Sequence, residues 1–153
     1  MILTASDRIH APRDFVFARA TEFDRLARAA AGRGAEVAAP EHDGAQVRYA
    51  LRYPFRDELW PVVLMLEGAT PPEGLQIALE ARVATAQGAV RFSELSAEVT
   101  QVDLRAELRP VNMQGRLLIG SLHMLRARVQ ARLDRDLAAL ARGAEALWAE
   151  ARA

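Results

Sequence analysis

Histidines and closely spaced carboxylates are the side chains of this sequence that could transfer protons or bind a metal. The three histidines, His10, His42 and His123, lie far apart in the chain. None has the four-residue spacing, to another histidine or to a glutamate-rich partner, that places two metal ligands on one helix face. The sequence therefore gives no support to a zinc or di-iron site. We expect His123 to be a partly buried residue of the last helix; the alternative is a polar contact with a bound ligand.

Other catalytic arrangements also lack support in the residue spacing. Glu94 and Glu98 share one face of a predicted strand about 13 Å apart, too far for a paired-carboxylate glycosidase, so an exposed sheet face is the better interpretation. Ser121 lacks the second glycine of a nucleophile elbow. The "GRG" at 32–34 follows a helix and precedes a strand, the reverse of a dinucleotide-binding loop. The chain has no cysteine, which excludes disulfides, thiolate metal sites and cysteine nucleophiles.

Three further polar groups could face an apolar interior: the phenols of Tyr49 and Tyr53 and the indole N–H of Trp60. A buried phenol without a hydrogen-bond partner costs roughly 1–3 kcal/mol. If no protein group pairs with these phenols, a ligand or water must do so. The alternative is that the tyrosines pack in the core or reach the surface.

The first part of the chain predicts one strand and two short helices. Leu3–Ile9 has the pattern of a strand, and Pro12 suits the start of a helix because its missing N–H is not needed there. Thr21 with Asp24 three residues later has the spacing of a capping box, which predicts a second helix. That helix is expected to end at about Ala31, before two glycines.

From Ala35 to Val111 the hydrophobic pattern changes to a period of two. Apolar and polar residues alternate in the strands that contain Val47–Tyr53, Leu75–Val83 and Val102–Leu108, which indicates an antiparallel sheet covered on one side. Turn sequences such as "HDG", "FRD" and "ATPPEG" separate the strands at hairpin spacing. The alternation changes phase in the strand that follows Val90, and a bulge near Ser93 would account for it.

The segment Val62–Leu66 is apolar at every position. Either its outer side is covered by a second subunit, or it lies beside a long neighbouring side chain. A homodimer is therefore possible. The run is far too short for a membrane span.

A helical period returns at about Met113. Apolar residues from Leu118 to Leu147 recur at intervals of three and four, which predicts one amphipathic helix of more than thirty residues. Asn112 is the expected N-cap. A helix of this length on a small sheet must lie across the whole sheet.

Composition limits the class of partner. The 20 basic and 20 acidic side chains balance, so the chain lacks the basic surplus of most nucleic-acid binders, and we expect no nucleic-acid partner. All 20 basic residues are arginine, which a GC-rich genome explains. The first residues lack the pattern of a secretory signal, so the expected location is the cytoplasm. With no linker or repeat, residues 1–153 are expected to form one domain.

The order of the predicted elements and several local sequences resemble the START/Bet v 1-like superfamily, also called SRPBCC or polyketide cyclase/dehydrase-like. The sequences that carry the resemblance are "IHAPRDFVFARATEFDRL", "RGAEV", "ATPPEGLQIAL" and "LRAELRPVNMQGRLLIGSLHMLRARV". The resemblance covers essentially the whole chain and is strongest to short bacterial members.

The resemblance implies a helix-grip fold of class α+β, with a curved antiparallel sheet of about seven strands, two short helices after strand 1 and one long C-terminal helix packed across the sheet. It also implies an apolar cavity between sheet and helix, because members of the superfamily carry lipids, sterols, quinones or polyketides, and some cyclise polyketides or act as co-chaperones. The expected cavity lining is Tyr49, Leu51, Tyr53, Ile77, Leu79, Phe92, Leu104, Leu118, Leu122 and Leu125.

The leading hypothesis from the sequence is non-enzymatic binding or transport of a small hydrophobic molecule, with no cofactor. An alternative is a cyclase-type enzyme with Tyr53, His123 or Glu94 as proton donor; an interaction module that uses Val62–Leu66 is another. Phe15 and Phe17 lie two apart on a helix, so we expect only one of them to face the core. The other would border the cavity mouth, with the two short helices as its lid.

Overall fold

The computed structural model describes residues 1–67 and 71–153, without the side chain of Leu26, and in these ranges the chain forms an open antiparallel sheet with four helices. The strands are β1 Ile2–Ile9, β2 Glu36–Val37, β3 Glu41–Asp43, β4 Gln46–Phe55, β5 Glu58–Glu67, β6 Gly74–Ala81, β7 Ala84–Ser96 and β8 Val99–Pro110. The helices are α1 Arg13–Ala20, α2 Phe23–Gly32, α3 Met113–Met124 and α4 Arg126–Ala151. The turn expected at "ATPPEG" lies partly outside the described residues.

The sheet runs in the order β1-β8-β7-β6-β5-β4-β2, and β3 also pairs with β4. One row of cross-strand partners consists of Tyr49, Leu64, Leu79, Ala86 and Leu108. Because side chains alternate between the faces of a sheet, this row and its second neighbours form one apolar face, here called the inner face. The other side of the sheet, here called the outer face, carries most of the charged residues of the strands. The one-sided pattern predicted from the period of two is therefore confirmed.

The predicted bulge is present in β7, where the register with β8 shifts between Glu94 and Ser96. It lies beside Ser93, the position that the change of phase indicated. The shift does not bring Leu95 into the core, because this side chain is 49% exposed.

The helices at the start of the chain differ from prediction in their capping. Pro12 precedes α1, as expected, but the N-cap of α2 is Glu22, and no side chain forms a hydrogen bond there. Thr21 instead donates its hydroxyl to the carbonyl oxygen of Phe17, 2.9 Å away, and its N–H to the same oxygen. The predicted capping box is wrong because Thr21 still belongs to the last turn of α1, where unpaired carbonyls are closest.

Phe15 and Phe17 both pack against the core, which corrects the expectation that only one could. The ring of Phe15 contacts Trp148 of α4 with centroids 5.1 Å apart, and the ring of Phe17 meets Phe92 of β7 edge-on at 5.9 Å. α1 lies in the corner between α4 and the sheet, so both of its flanks meet apolar partners. Neither phenylalanine lines the inner-face cavity described below.

The predicted C-terminal helix is interrupted at Leu125. α3 packs against β8, whereas α4 packs against β1, and the change of direction between these supports divides the helix. The long helix that packs across the sheet is α4. Asn112 caps α3, as predicted: its side-chain oxygen accepts a hydrogen bond from the N–H of Gly115 at 2.9 Å.

The core has two parts. The first lies between β7, β8, α1 and α4 and contains Val16, Phe92, Val102 and Ala141. The second lies under α2 and contains Val47, Tyr49 and Leu66. None of the described helices is both long and apolar enough to cross a membrane.

Candidate functional site

An apolar cavity of about 190 Å³ lies on the inner face beside α3, at the end of the sheet remote from α1 and α2. Its walls come from the β4–β5 hairpin, the β6–β7 hairpin, the end of β8 and one turn of α3. The lining residues are Tyr53, Phe55, Trp60, Val62, Leu79, Ala81, Val83, Ala84, Thr85, Ala86, Leu108 and Leu118.

The cavity exists because small residues occupy its floor. Ala81, Ala84 and Ala86 face inward on β6 and β7, next to partners such as Leu79 and Leu108 that are much larger. A methyl side chain leaves unfilled space that a leucine at the same position would occupy. The alternation of β7 in the sequence places Ala84 and Ala86 on the inward side of the strand. This pattern is the sequence signal that predicts a floor of small residues.

α3 forms the cavity wall opposite the sheet, and Gly115 fixes its position. A Cβ at Gly115 would overlap the carbonyl oxygen of Val83 and lie 3.3 Å from the Cα of Pro110. The same Val83 oxygen accepts a hydrogen bond from the N–H of Val111 at 2.8 Å. The absence of a side chain thus lets α3 approach the β6–β7 turn closely, and this approach brings Leu118 into the cavity.

An aromatic pair forms the wall of the cavity at the β4–β5 hairpin. The rings of Phe55 and Trp60 meet edge-on with centroids 5.2 Å apart, and the Arg82 guanidinium stacks on the indole at 4.7 Å. The indole Nε1 of Trp60 is buried and has no hydrogen-bond partner among the described residues. The indole nitrogen of Trp148, far from the cavity, is buried without an acceptor in the described ranges as well, and the Trp60 nitrogen is not exposed to the cavity space.

The hairpin that presents this aromatic pair has a tight turn. Arg56 and Asp57 both have positive φ values, 50° and 63°, between Phe55 and its partner Glu58. Two-residue hairpin turns of this kind favour Asn-Gly, because side chains with a Cβ are strained in the left-handed region. The turn therefore holds Phe55 and Trp60 in place at some cost to stability.

The ten residues predicted to line a cavity are not all brought together. Three of them, Tyr53, Leu79 and Leu118, line the observed cavity. Tyr49 and Phe92 are buried in the two parts of the core, and Leu51 and Ile77 pack against them. Leu104 and Leu122 are half-buried outside the cavity lining, and Leu125 is exposed at the junction of α3 and α4. A ligand-binding role for these residues stays a prediction.

Tyr49 has a partner within the protein. Its hydroxyl donates to Oδ1 of Asp24 on α2 at 3.2 Å. Burial, and then the hydrogen bond and negative charge of Asp24, raise the pKa of Tyr49 above its ordinary value. Tyr53 instead reaches the surface with 38% of its area exposed. One phenol is thus in the core and the other at the surface, as the alternative predicted. Of the three polar groups, the indole N–H of Trp60 has no partner in the described part of the chain, and the same is true of Trp148.

The candidate proton donors, other than Tyr53, lie away from the cavity. His123 is exposed on α3, which corrects the expectation that it is partly buried, and His10 and His42 are exposed as well. Glu94 is exposed on β7, 4.0 Å from Arg13. Among the residues that the structure describes, no cluster of histidine and carboxylate side chains could hold a metal ion.

Two larger depressions, of about 650 and 370 Å³, lie on the outer face and share Gln76, Ala89 and Arg105. They are lined largely by polar side chains, including Glu67, Asp103 and several glutamines. None of the described helices covers this face, so an apolar ligand would leave most of its surface in water there. The smaller inner cavity is therefore the candidate site for a hydrophobic ligand.

Comparison with solved structures identifies the architecture. A protein of Thermus thermophilus matches with a TM-score of 0.69 at 18% identity, over 96% of this chain and 99% of that chain. The Zhui aromatase/cyclase from Streptomyces sp. R1128 matches with a TM-score of 0.69 at 16% identity, over 95% and 93%. A START superfamily protein from Mycobacterium smegmatis matches with a TM-score of 0.51 at 14% identity, over 86% and 95%.

This chain has a helix-grip fold, the architecture that it shares with these solved structures. The expected fold class is confirmed, with eight strands described where about seven were expected. At these identities the likeness shows the fold alone, because one fold hosts many functions. No family model and no curated protein matches the chain.

Proposed function

We propose that this chain binds a small apolar molecule of about the size of one ring in the inner-face cavity, without chemical conversion. The observation that carries the proposal is the lining: apart from Thr85, aliphatic and aromatic residues line this open space, with no carboxylate or imidazole among the described residues. Largely apolar concave sites with few polar groups are where small ligands bind.

The volume limits the size of the ligand. A dry apolar cavity of about 150 Å³ is large enough for benzene, whereas sites for drug-sized ligands occupy about 300–1,000 Å³. The volume of about 190 Å³ therefore fits a single substituted ring. A sterol or a lipid chain would leave most of its length outside, beyond the partly exposed Tyr53.

Binding is favoured over the cyclase alternative by the positions of the proton donors. Of the three candidates, Tyr53 alone reaches the cavity, and His123 and Glu94 are exposed elsewhere. A general acid or base must lie within hydrogen-bond reach of the reacting group.

A matched pair of ligands and a matched pair of variants test the proposal. Acetophenone and ethylbenzene have similar shapes, and each consists of one substituted ring. Both are expected to raise the melting temperature of the wild type. Ala86→Leu fills the cavity floor and should abolish both shifts, whereas Ala89→Leu, the same change on the outer face of β7, should preserve them. Equal ligand shifts in the two variants, or no shift in the wild type, would contradict binding in this cavity.

A further inference from the structure

Helix α3 has two apolar sides, of which only one packs on the protein. Gly115 and Ile119 are buried, and Leu118 faces the cavity from the same side. On the opposite side, Met113, Leu117 and Met124 lie within an arc of roughly 40° at 3.6 residues per turn. Their exposed fractions are 66%, 68% and 87%. A surface helix needs one apolar stripe to pack on its own protein, so the second stripe is free to contact a partner.

Two apolar residues that flank α3 are exposed as well: Val111 precedes the helix and Leu125 follows it. We call Val111, Met113, Leu117, Met124 and Leu125 the α3 apolar surface. Five of the nine large hydrophobic side chains found exposed in the described ranges belong to it. Such a concentration, rather than single scattered residues, marks an interaction site.

The chain segment that carries the α3 apolar surface is basic. Residues 108–133 include five arginines and no aspartate or glutamate, although Arg109 pairs with Glu107 and Arg132 with Asp136, just outside this range. In the part of the chain that the structure describes, Arg116 and Arg128 form no ion pair with a carboxylate. The guanidinium of Arg126 donates to the carbonyl oxygen of Ile2 at 2.9 Å and keeps its charge.

We propose that the α3 apolar surface docks on a lipid bilayer that contains anionic lipids. A helix of this kind inserts its exposed apolar side chains at the boundary of the acyl chains. Its flanking arginines then lie among the lipid headgroups. A second copy of this chain fits less well, because a two-fold contact through this surface would bring like-charged arginine clusters together.

Vesicle flotation tests the proposal with the intact chain. The protein is expected to bind vesicles of phosphatidylcholine and phosphatidylglycerol at 7:3 and to bind pure phosphatidylcholine much more weakly. In 1 M NaCl, where the screening length falls to about 3 Å, most of the difference between the two compositions should disappear. Absence of binding to the anionic vesicles, or equal binding to both compositions at low salt, would overturn it.

Variants with a matched control locate the contact. Leu117→Glu should reduce binding to the anionic vesicles at least tenfold, whereas Leu140→Glu, at an exposed leucine of α4 outside the surface, should have little effect. Arg116→Gln and Arg128→Gln should each reduce binding roughly fivefold. Equal binding by the two leucine variants, or a dimer in solution that Leu117→Glu dissociates, would overturn the membrane assignment. Ala86→Leu should still bind vesicles, which separates this proposal from the cavity ligand.

Discussion

Gly115→Ala should destabilise the protein, although alanine is the better helix former. The new methyl group would overlap the carbonyl oxygen of Val83 and lie 3.0 Å from its carbonyl carbon. Both atoms belong to the backbone of the β6–β7 turn, which cannot rotate away as a side chain would. The N-terminal end of α3 would have to lift from the sheet, and the hydrogen bond that Asn112 accepts from Gly115 would lengthen.

The magnitude follows from the opposing contributions. Overpacking in a close contact costs about 1–3 kcal/mol, and loss of an N-cap costs about 1 kcal/mol more. The higher helix propensity of alanine than of glycine offsets about 1 kcal/mol of this loss in stability. We therefore expect a net loss of about 1–3 kcal/mol in the free energy of unfolding.

Gly120 provides the matched control, because it lies in the same helix and a Cβ there meets nothing within 4 Å. Gly120→Ala should therefore stabilise the protein by about 0.5–1 kcal/mol. Urea unfolding of both variants measures the two free energies, and the changes should have opposite signs. If Gly115→Ala proves as stable as Gly120→Ala, the close approach of α3 to the β6–β7 turn is not real, and the cavity wall that it positions must be reconsidered.

Tyr49→Phe should reduce the loss of stability at alkaline pH. Burial and Asp24 raise the pKa of Tyr49 above its usual value of about 10. The protonated phenol therefore adds to the free energy of unfolding of the wild type below that pH, and this contribution is lost as the pH rises. Urea unfolding at pH 8 and pH 11 measures the change, and equal losses in wild type and variant would contradict the assignment. Arg56→Asn with Asp57→Gly should stabilise the β4–β5 hairpin by about 1 kcal/mol, because both positions have positive φ. A melting temperature that is unchanged or lower would argue against strain in this turn.

The strands were the most predictable part of the fold. The period of two places Tyr49, Leu79 and Leu108 on one face in the sequence, and the strand pairing puts them in one row. Hydrophobic alternation is local, so it can be read without knowing which strands pair. The cap at Asn112 is local in the same way and was found.

Contacts between distant segments were not predictable. The hydrogen bond from Tyr49 to Asp24 depends on how α2 lies over β4. The interruption at Leu125 has no glycine or proline to mark it, and the leucine stripe continues through it. Packing against two different strands, rather than local propensity, divides the helix there. Which of the ten predicted lining residues meet in one cavity depends on such contacts too, because the filling of space by α1 and α2 could not be judged from their sequences.

The alanines on the cavity floor have a consequence for how this architecture can diversify. Ala81, Ala84 and Ala86 shape the space with single methyl groups, while the hydrogen bonds that hold β6 and β7 together run through the backbone. The capacity of the pocket can thus be tuned residue by residue while strand pairing stays constant. Point substitutions at these three positions could enlarge, reduce or fill the cavity without a change in strand pairing.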